Sequence, residues 1–403
     1  MRIAVLHSRY LSGAASGENR VVEEETKLLL SAGHEVAIWT PTPADIGGLR
    51  AVRTGVEATW SRQATRILRD LLHRFRPDIV HIHNLFPLVS PAVIRLAARE
   101  GLPVVVTLHN YRLLCLPATF LRAGRPCEDC LGRFPWPGVL HACYRESRPA
   151  SMALATSLGT HRLLGTFDEV ATYLAVSRFV KHKHIAAGFP EDRIRVKPQF
   201  VEQMKPREGP GEYFLYLGRL SQEKGVGTLI EAWDQVRAPL LVVGDGPDAR
   251  TLRQHASASV RFKAPVSPEQ VPEILRFARA LLVPSICYEG APRAILEAYA
   301  TGVPVVASDI GSLPELVRAE QTGLLTAPGQ AGDLAKSVAR LLDDRESKRM
   351  GQRAYESWKT HYSPEVGLRE LESAYREAIG RSQANERDLS RVRSKEIRNG
   401  QRT

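Results

Sequence analysis

The sequence predicts an α/β chain of two doubly wound, Rossmann-like domains facing a central cleft. Three observations carry this prediction. Short apolar runs alternate with longer helical or irregular segments through the first half of the chain. The texture then breaks at 197–211 into KPQFVEQMKPREGPG, rich in proline, glycine and charge, and a second strand-and-helix series starts at Tyr213. Such alternation argues for parallel sheets with helices on both faces, and a stretch of breakers is where a chain passes between domains. With 403 residues, 43% hydrophobic and 25% charged, the chain is long enough for two ordinary cores.

In the first domain, expected over 1–200, the apolar runs fall at 3–6, 35–39, 78–82, 104–107 and 172–176. Between the first run and a helix starting near Arg20 lies SGAASGEN, residues 12–19. A flexible loop at a helix N-terminus, with Gly13 and Gly17, suits contact with a phosphate or an acceptor; the alternative is a simple connection. His81 and His83, in DIVHIHN, end the third run. Their spacing suggests a metal, but no third ligand is evident, so an acceptor-site or structural role is expected. His109 follows VVVTL at 104–108, at the strand's carboxyl edge. Its imidazole could orient a sugar or an acceptor hydroxyl, or serve as a buried structural group.

Cys115, Cys127, Cys130 and Cys143 share one insertion, 115–143, rich in proline and glycine. In a reducing compartment, four clustered cysteines with one C-x2-C favour structural zinc over disulfides, although the outlying pair is spaced unlike a standard finger. Free thiols and a redox pair are the other readings. Cys287, far away in sequence, reads as a small packing residue.

The second domain, expected over 201–355, carries the densest chemistry. The strand-like 213–217 runs into GRLSQEKG at 218–225 and then a helix at 227–233. Gly218 and Gly225 bound a loop whose Arg219 and Lys224 can neutralise a diphosphate, or can be ordinary solvated charges. The apolar run 280–284 leads through Glu289, Gly290, Ala291 and Pro292 into a helix at 292–300. Gly290 permits close backbone approach, Pro292 suits a first helical turn, and the turn's free amides favour an anion. Glu297, about a turn and a half along, could accept hydrogen bonds from hydroxyls as carboxylates do on ribose.

The pair GRLSxxKG and E-G-x-P-x4-E, with LVVGDGP at 241–247 between them, resembles the nucleotide-sugar half of the retaining glycosyltransferases of family 4, which have the GT-B fold. The likeness runs roughly from Arg2 to Ile379 and is strongest over 213–325. It implies a C-terminal helix, 356–380, crossing back to an acceptor-binding first domain. It also implies a hexosyl transfer from a UDP- or GDP-sugar to a hydroxyl of a glycan or lipid-linked acceptor, as in polysaccharide synthesis. Arg219 and Lys224 would hold the diphosphate, Glu289 the sugar and Glu297 the ribose, while the backbone of 290–292 would line them. The THN element would put His109 in the active site. Ala291 departs from the aromatic residue many relatives carry there, and the N-terminal loop lacks the usual adjacent glycine pair. The HNYRLLC and CEDC elements resemble a bacterial polysaccharide subgroup. No catalytic metal is implied, in keeping with the lack of an Asp-x-Asp element at the donor loop. Two other readings remain open at this point: a nucleotide-sugar 2-epimerase on the same fold, and a non-catalytic nucleotide- or glycan-binding module.

A formal net charge of +11 favours anionic partners. The basic residues are scattered rather than grouped with aromatic platforms, which argues against nucleic acid. No run reaches transmembrane length, and MRIAVLHS shows no signal-peptide pattern, so a cytoplasmic protein is expected. The tail, 381–403, has seven basic and three acidic residues and reads as solvated and disordered, the alternative being contact with anionic lipid.

Overall fold

The computed structural model describes residues 1–9, 17–42 and 57–400, with side chains to 384. Gly13 lies outside the described residues. The first sheet uses β1 (Arg2–His7), β2 (Glu35–Trp39), β3 (Ile79–Asn84) and β4 (Val104–Leu108), and continues beyond the insertion. The insertion holds a small antiparallel hairpin, β5 (Leu121–Arg122) and β6 (Arg125–Pro126). Then come β7 (Thr172–Ala175) and β8 (Ile194–Val196), giving a six-stranded sheet in the order β2-β1-β3-β4-β7-β8. The second sheet has β9 (Tyr213–Leu217), β10 (Leu240–Val243), β11 (Val260–Lys263), β12 (Ala278–Val283), β13 (Val305–Ser308) and β14 (Gly323–Thr326). Its order is β11-β10-β9-β12-β13-β14. Pairing within both six-stranded sheets is parallel.

Each sheet is buried on both faces, and the sequence shows why. Along β1, Ile3 and Val5 join one core while Ala4 and Leu6 join another, the period-two alternation of a covered strand. Along β12, Ala280 and Leu282 face one layer, and Leu281 and Val283 the other. One of the first domain's two layers is completed from the far end of the chain. Leu371, Ala374, Tyr375 and Ala378 of the last helix, Pro364–Gly400, pack with Ile3, Val5, Val22 and Leu174. This is the expected crossover, but the helix does not stop at 380; its backbone runs on to Gly400, and Arg381 pairs with Glu377 and Asp192.

The two crossings between domains are bonded to each other. Val201 N donates to the Tyr362 carbonyl at 3.0 Å, and Trp358 Nε1 donates to the Val201 carbonyl at 3.0 Å. A Cβ on Gly367 would lie 2.5 Å from the Phe200 ring. None of the described helices is long and apolar enough to cross a membrane.

Candidate active site

Strand order decides where the motifs meet. In the second sheet β9 has β10 on one side and β12 on the other, so the direction of winding reverses between β9 and β12. Ligands bind doubly wound sheets outside the strand ends at such a reversal. The loops that leave β9 and β12 are the two sequence motifs, 218–225 and 284–292. They are bonded together: Ile286 N donates to the Glu223 carbonyl at 3.0 Å. Gly225, at φ +67°, is required twice, because a Cβ there would sit 1.9 Å from the Pro284 carbonyl oxygen.

Within this corner, Lys224 Nζ donates to Glu289 Oε1 at 2.7 Å, and Ser285 Oγ donates to the same oxygen at 2.6 Å. Burial works to lower the Lys224 pKa, but Glu289 outweighs it with help from Cys287 and Glu223, and the ammonium is held above its ordinary value. Lys224 is therefore a cation at any physiological pH. Arg219 is exposed at the edge of the same loop. Helix Arg293–Ala300 starts directly after Pro292 and aims its amide end at the loop. Cys287 is buried, and burial raises its thiol pKa, in keeping with a packing role.

The first domain meets this corner through the strand end of β4. A Cβ on Gly290 would lie 2.6 Å from the His109 carbonyl oxygen, so only glycine lets the donor loop pass so close. Tyr111 Oη donates to the Glu289 carbonyl at 2.9 Å, and Ser312 Oγ donates to the same carbonyl at 2.8 Å. Glu315 of the second domain accepts from Arg178 N at 2.7 Å and Phe179 N at 3.1 Å, satisfying first-turn amides of helix Arg178–Ala186 across the domain boundary. Asn110 Nδ2 donates to Glu18 Oε1 at 2.6 Å, which ties the THN element to the first turn of helix Gly17–Ser31. Gly17 itself is exposed at the start of that helix, and among the described residues nothing would lie within 4 Å of a Cβ there.

His109 is buried and stacked on His83, ring centroids 5.2 Å apart, with its Nε2 2.9 Å from His83 Nδ1. One of these two nitrogens donates. His109 Nδ1 is buried without a hydrogen-bond partner among the described residues. Burial, reinforced by His7 and Lys197, pulls its pKa down to about 3, so the ring is neutral near pH 7. Burial likewise lowers His81 and His83 well below the ordinary histidine value.

The expectation that His81 and His83 lack a third ligand is corrected by the fold. Glu25, buried on helix Gly17–Ser31, joins them, and the three ligating atoms lie within 4.8 Å of one another. Most of their polar atoms are nevertheless taken; among the described residues Glu25 Oε2 alone of its two oxygens lacks a hydrogen-bond partner, 3.7 Å from His83 Nε2. His81 bonds Tyr375 Oη at 2.8 Å and Thr107 Oγ1 at 2.7 Å, His83 bonds His109, and Glu25 accepts from the buried ammonium of Lys197. This donor set fits a buried polar network better than a metal.

Glu297 has a partner within its own helix. It is buried, and Arg293, four residues back on the same helix, donates Nε to Glu297 Oε1 at 2.9 Å. The same guanidinium donates Nη2 to Glu24 Oε1 of the first domain at 2.7 Å. The i,i+4 spacing of Arg293 and Glu297 was legible in the sequence; the partner Glu24 was not. Ser285, Ser312, Tyr111 and Lys197 were missed as well, and only Ser285, between the strand and the motif acid, carried any local signal. The four insertion cysteines do converge: all four line one small cavity, and none is in a disulfide.

The comparisons with known proteins agree with this architecture. The model for glycosyl transferases group 1 matches residues 199–357, and that for Glycosyltransferase Family 4 matches 15–203. Between them they account for both domains, and with the fold they place the chain in the GT-B glycosyltransferase family. Among individual proteins, it is 27% identical over 325 residues to the 2-deoxystreptamine glucosyltransferase of Streptomyces kanamyceticus, covering 75% of this chain and 78% of that one. Sucrose-phosphate synthase from Thermosynechococcus elongatus has the same fold, with TM-score 0.71 and 18% identity over 94% of this chain and 99% of the other. HepE of Anabaena, in complex with UDP and glucose, matches with TM-score 0.63 and 17% identity over 93% and 99% of the two chains.

Proposed function

We propose that this glycosyltransferase moves a hexosyl group from a UDP- or GDP-sugar to a hydroxyl of a glycan or lipid-linked acceptor, with retention at the anomeric carbon. The observation that carries the reading is the Lys224–Glu289 pair at the sheet reversal, closed from the other side by the His109 backbone. Arg219 and Lys224 hold the diphosphate and stabilise the charge that grows on it as the anomeric C–O bond breaks. When a diphosphate takes Lys224, Glu289 is released to a sugar hydroxyl, its other partner Ser285 keeping it in place. His109 presents Nδ1, its unpartnered atom, to the sugar. Glu297 binds the ribose, sharing Arg293 or displacing it.

Retaining hydrolases use two carboxyl groups about 5 Å apart, one as nucleophile. With donor bound, Glu289 still accepts from Ser285 and from a sugar hydroxyl, which leaves it a weak nucleophile and supports attack on the face the leaving group departs from. The acceptor oxygen then forms the new bond to the anomeric carbon, and its proton passes to a diphosphate oxygen. The chain works in the cytoplasm, with peripheral contact to anionic membrane on the first domain. Trp136 and Leu140 are exposed there, on a helix packed against Arg148–Leu163, which ends in the 91% exposed Leu163.

A panel of nucleoside diphosphate sugars, scored by thermal shift and by release of nucleoside diphosphate, tests the reading. One or two donors should raise the melting temperature and turn over with an alcohol acceptor, keeping the anomeric configuration by NMR. Inversion, or appearance of a new sugar nucleotide from donor alone, would overturn it.

A further inference from the structure

We propose that Cys115, Cys127, Cys130 and Cys143 bind one structural zinc ion, and that the Cys-Glu-Asp-Cys turn so fixed carries Glu128 as a strut to Tyr288 of the donor loop. Four residues from three separate stretches of the insertion line one enclosed cavity of about 20 Å³, beside Arg122 and Gly138. That is room for roughly one small ion. The backbone is built around the sulfurs. Ala118 N donates to the Cys115 carbonyl at 2.9 Å, and Cys143 N to the Gly138 carbonyl at 2.9 Å, turns that bring the cysteines to one place. Hairpin β5–β6 brings Cys127 back, with Cys127 N donating to the Phe120 carbonyl at 2.7 Å.

The same insertion puts Ala118, Phe120, Ala123 and Ala142 in the left-handed region, at φ 67°, 48°, 50° and 50°. Such conformations persist where surrounding bonds over-determine them. Phe120 is held by the first-domain core, but Cys127 and Cys143 are only half-buried, so packing holds their side of the insertion less. A metal supplies the missing constraint.

Zinc exchanges four thiol protons for four zinc–sulfur bonds, leaving a net charge of two minus on the site, with Arg122 on its wall. The sulfurs would be drawn to about 2.3 Å from the ion. That geometry sets tetrahedral sulfurs about 3.8 Å from one another, whereas here no three of the four lie within 4.8 Å of one another. Binding therefore contracts the site.

The consequence for the cleft lies in the turn itself. Glu128, between Cys127 and Cys130, accepts from Lys183 Nζ at 2.6 Å and from Tyr288 Oη at 2.8 Å. Tyr288 also packs on Phe120 and Phe179, ring centroids 5.8 and 4.9 Å away, and precedes Glu289. The metal clause stands independently of the proposed function; the effect of the strut on donor affinity rests on it.

The test is metal analysis of the full chain purified without added zinc. About one equivalent is expected, falling to background in Cys127→Ser and unchanged in Cys287→Ser; cobalt substitution should give the intense near-ultraviolet bands of a thiolate site. Folded wild-type protein with under about 0.2 equivalent, or with a Cys127–Cys130 disulfide by mass spectrometry, would overturn the zinc site. Glu128→Gln should keep the zinc and raise the donor dissociation constant about two- to tenfold, as for one lost hydrogen-bonded charge. Unchanged donor affinity in that variant would remove the strut. A zinc-replete wild type that binds no nucleoside diphosphate sugar would instead count against the proposed function alone.

Discussion

The two halves of the cleft are built in opposite ways. On the second domain, the polar groups sit in two loops, each joining one strand to the next helix, and they are partly exposed with partners a few residues or one loop away. On the first domain, the polar groups are His81, His83, His109, Glu25 and Lys197, all buried, drawn from one strand, a helix, a strand-end loop and the linker. The second-domain side is a surface that a ligand can complete. The first-domain side is a sealed network whose His109 carbonyl meets the loop at Gly290. A loop of short-range groups keeps a charged side chain available, whereas a long-range network fixes an uncharged one in place.

That contrast can be broken most forcefully on the sealed side. Glu25→Gln leaves the Lys197 ammonium buried without its carboxylate and should cost about 3–5 kcal/mol of stability, read from chemical denaturation. The double change Glu25→Gln, Lys197→Met should recover much of it. A single variant as stable as wild type would mean that the pair is not sealed in solution.

Acid attacks the same network. The three imidazoles are held neutral in the native state, His109 with a pKa of about 3, whereas unfolded histidines protonate below about 6.5. Stability from this source is complete above about pH 6.5 and is lost progressively as pH falls toward about 3. Urea midpoints at pH 7.5, 6 and 4.5 should fall in that order, and a flat series would contradict the burial of neutral rings.

On the open side the effects should fall on rate. Lys224→Ala should lower turnover by about 10² or more, as for loss of a partner to transition-state charge, with little change in melting temperature. Wild-type turnover would remove Lys224 from the site. Gly290→Ala should cost roughly tenfold in kcat/KM, since its Cβ would press on the His109 carbonyl and hold the halves apart by a fraction of the 1 Å that is worth about 10². The smallest effect should come from Arg381→Ala, an exposed pair with Asp192, worth under about 1 kcal/mol by denaturation.

The same contrast explains what could be read in advance. Strand β9 and the apolar positions around 280–284 stood out because a covered parallel strand is an apolar run bounded by breakers, and each motif lay next to its own strand. Arg219, Lys224 and Glu289 needed no distant information. Edge strands β8 and β11 were not anticipated; Arg195, Arg261 and Lys263 interrupt their apolar pattern. The network around His83 was illegible for a different reason. Glu25 looks like any polar position on an amphipathic helix, and Lys197 like any charge in a linker, until the fold buries both against the same ring. Glu297 was placed about a turn and a half along its helix, but the reach of its partner Arg293 to Glu24 depends on how the domains meet.

The bonded crossings at Val201, Trp358 and Tyr362 bear on how many ways the cleft can open. A single tether would let one domain roll, twist and swing against the other. Two tethers fastened side by side leave chiefly the swing, about the line joining them. Opening then becomes a motion with one coordinate, along which His109 and Glu289 separate and return to the same registry.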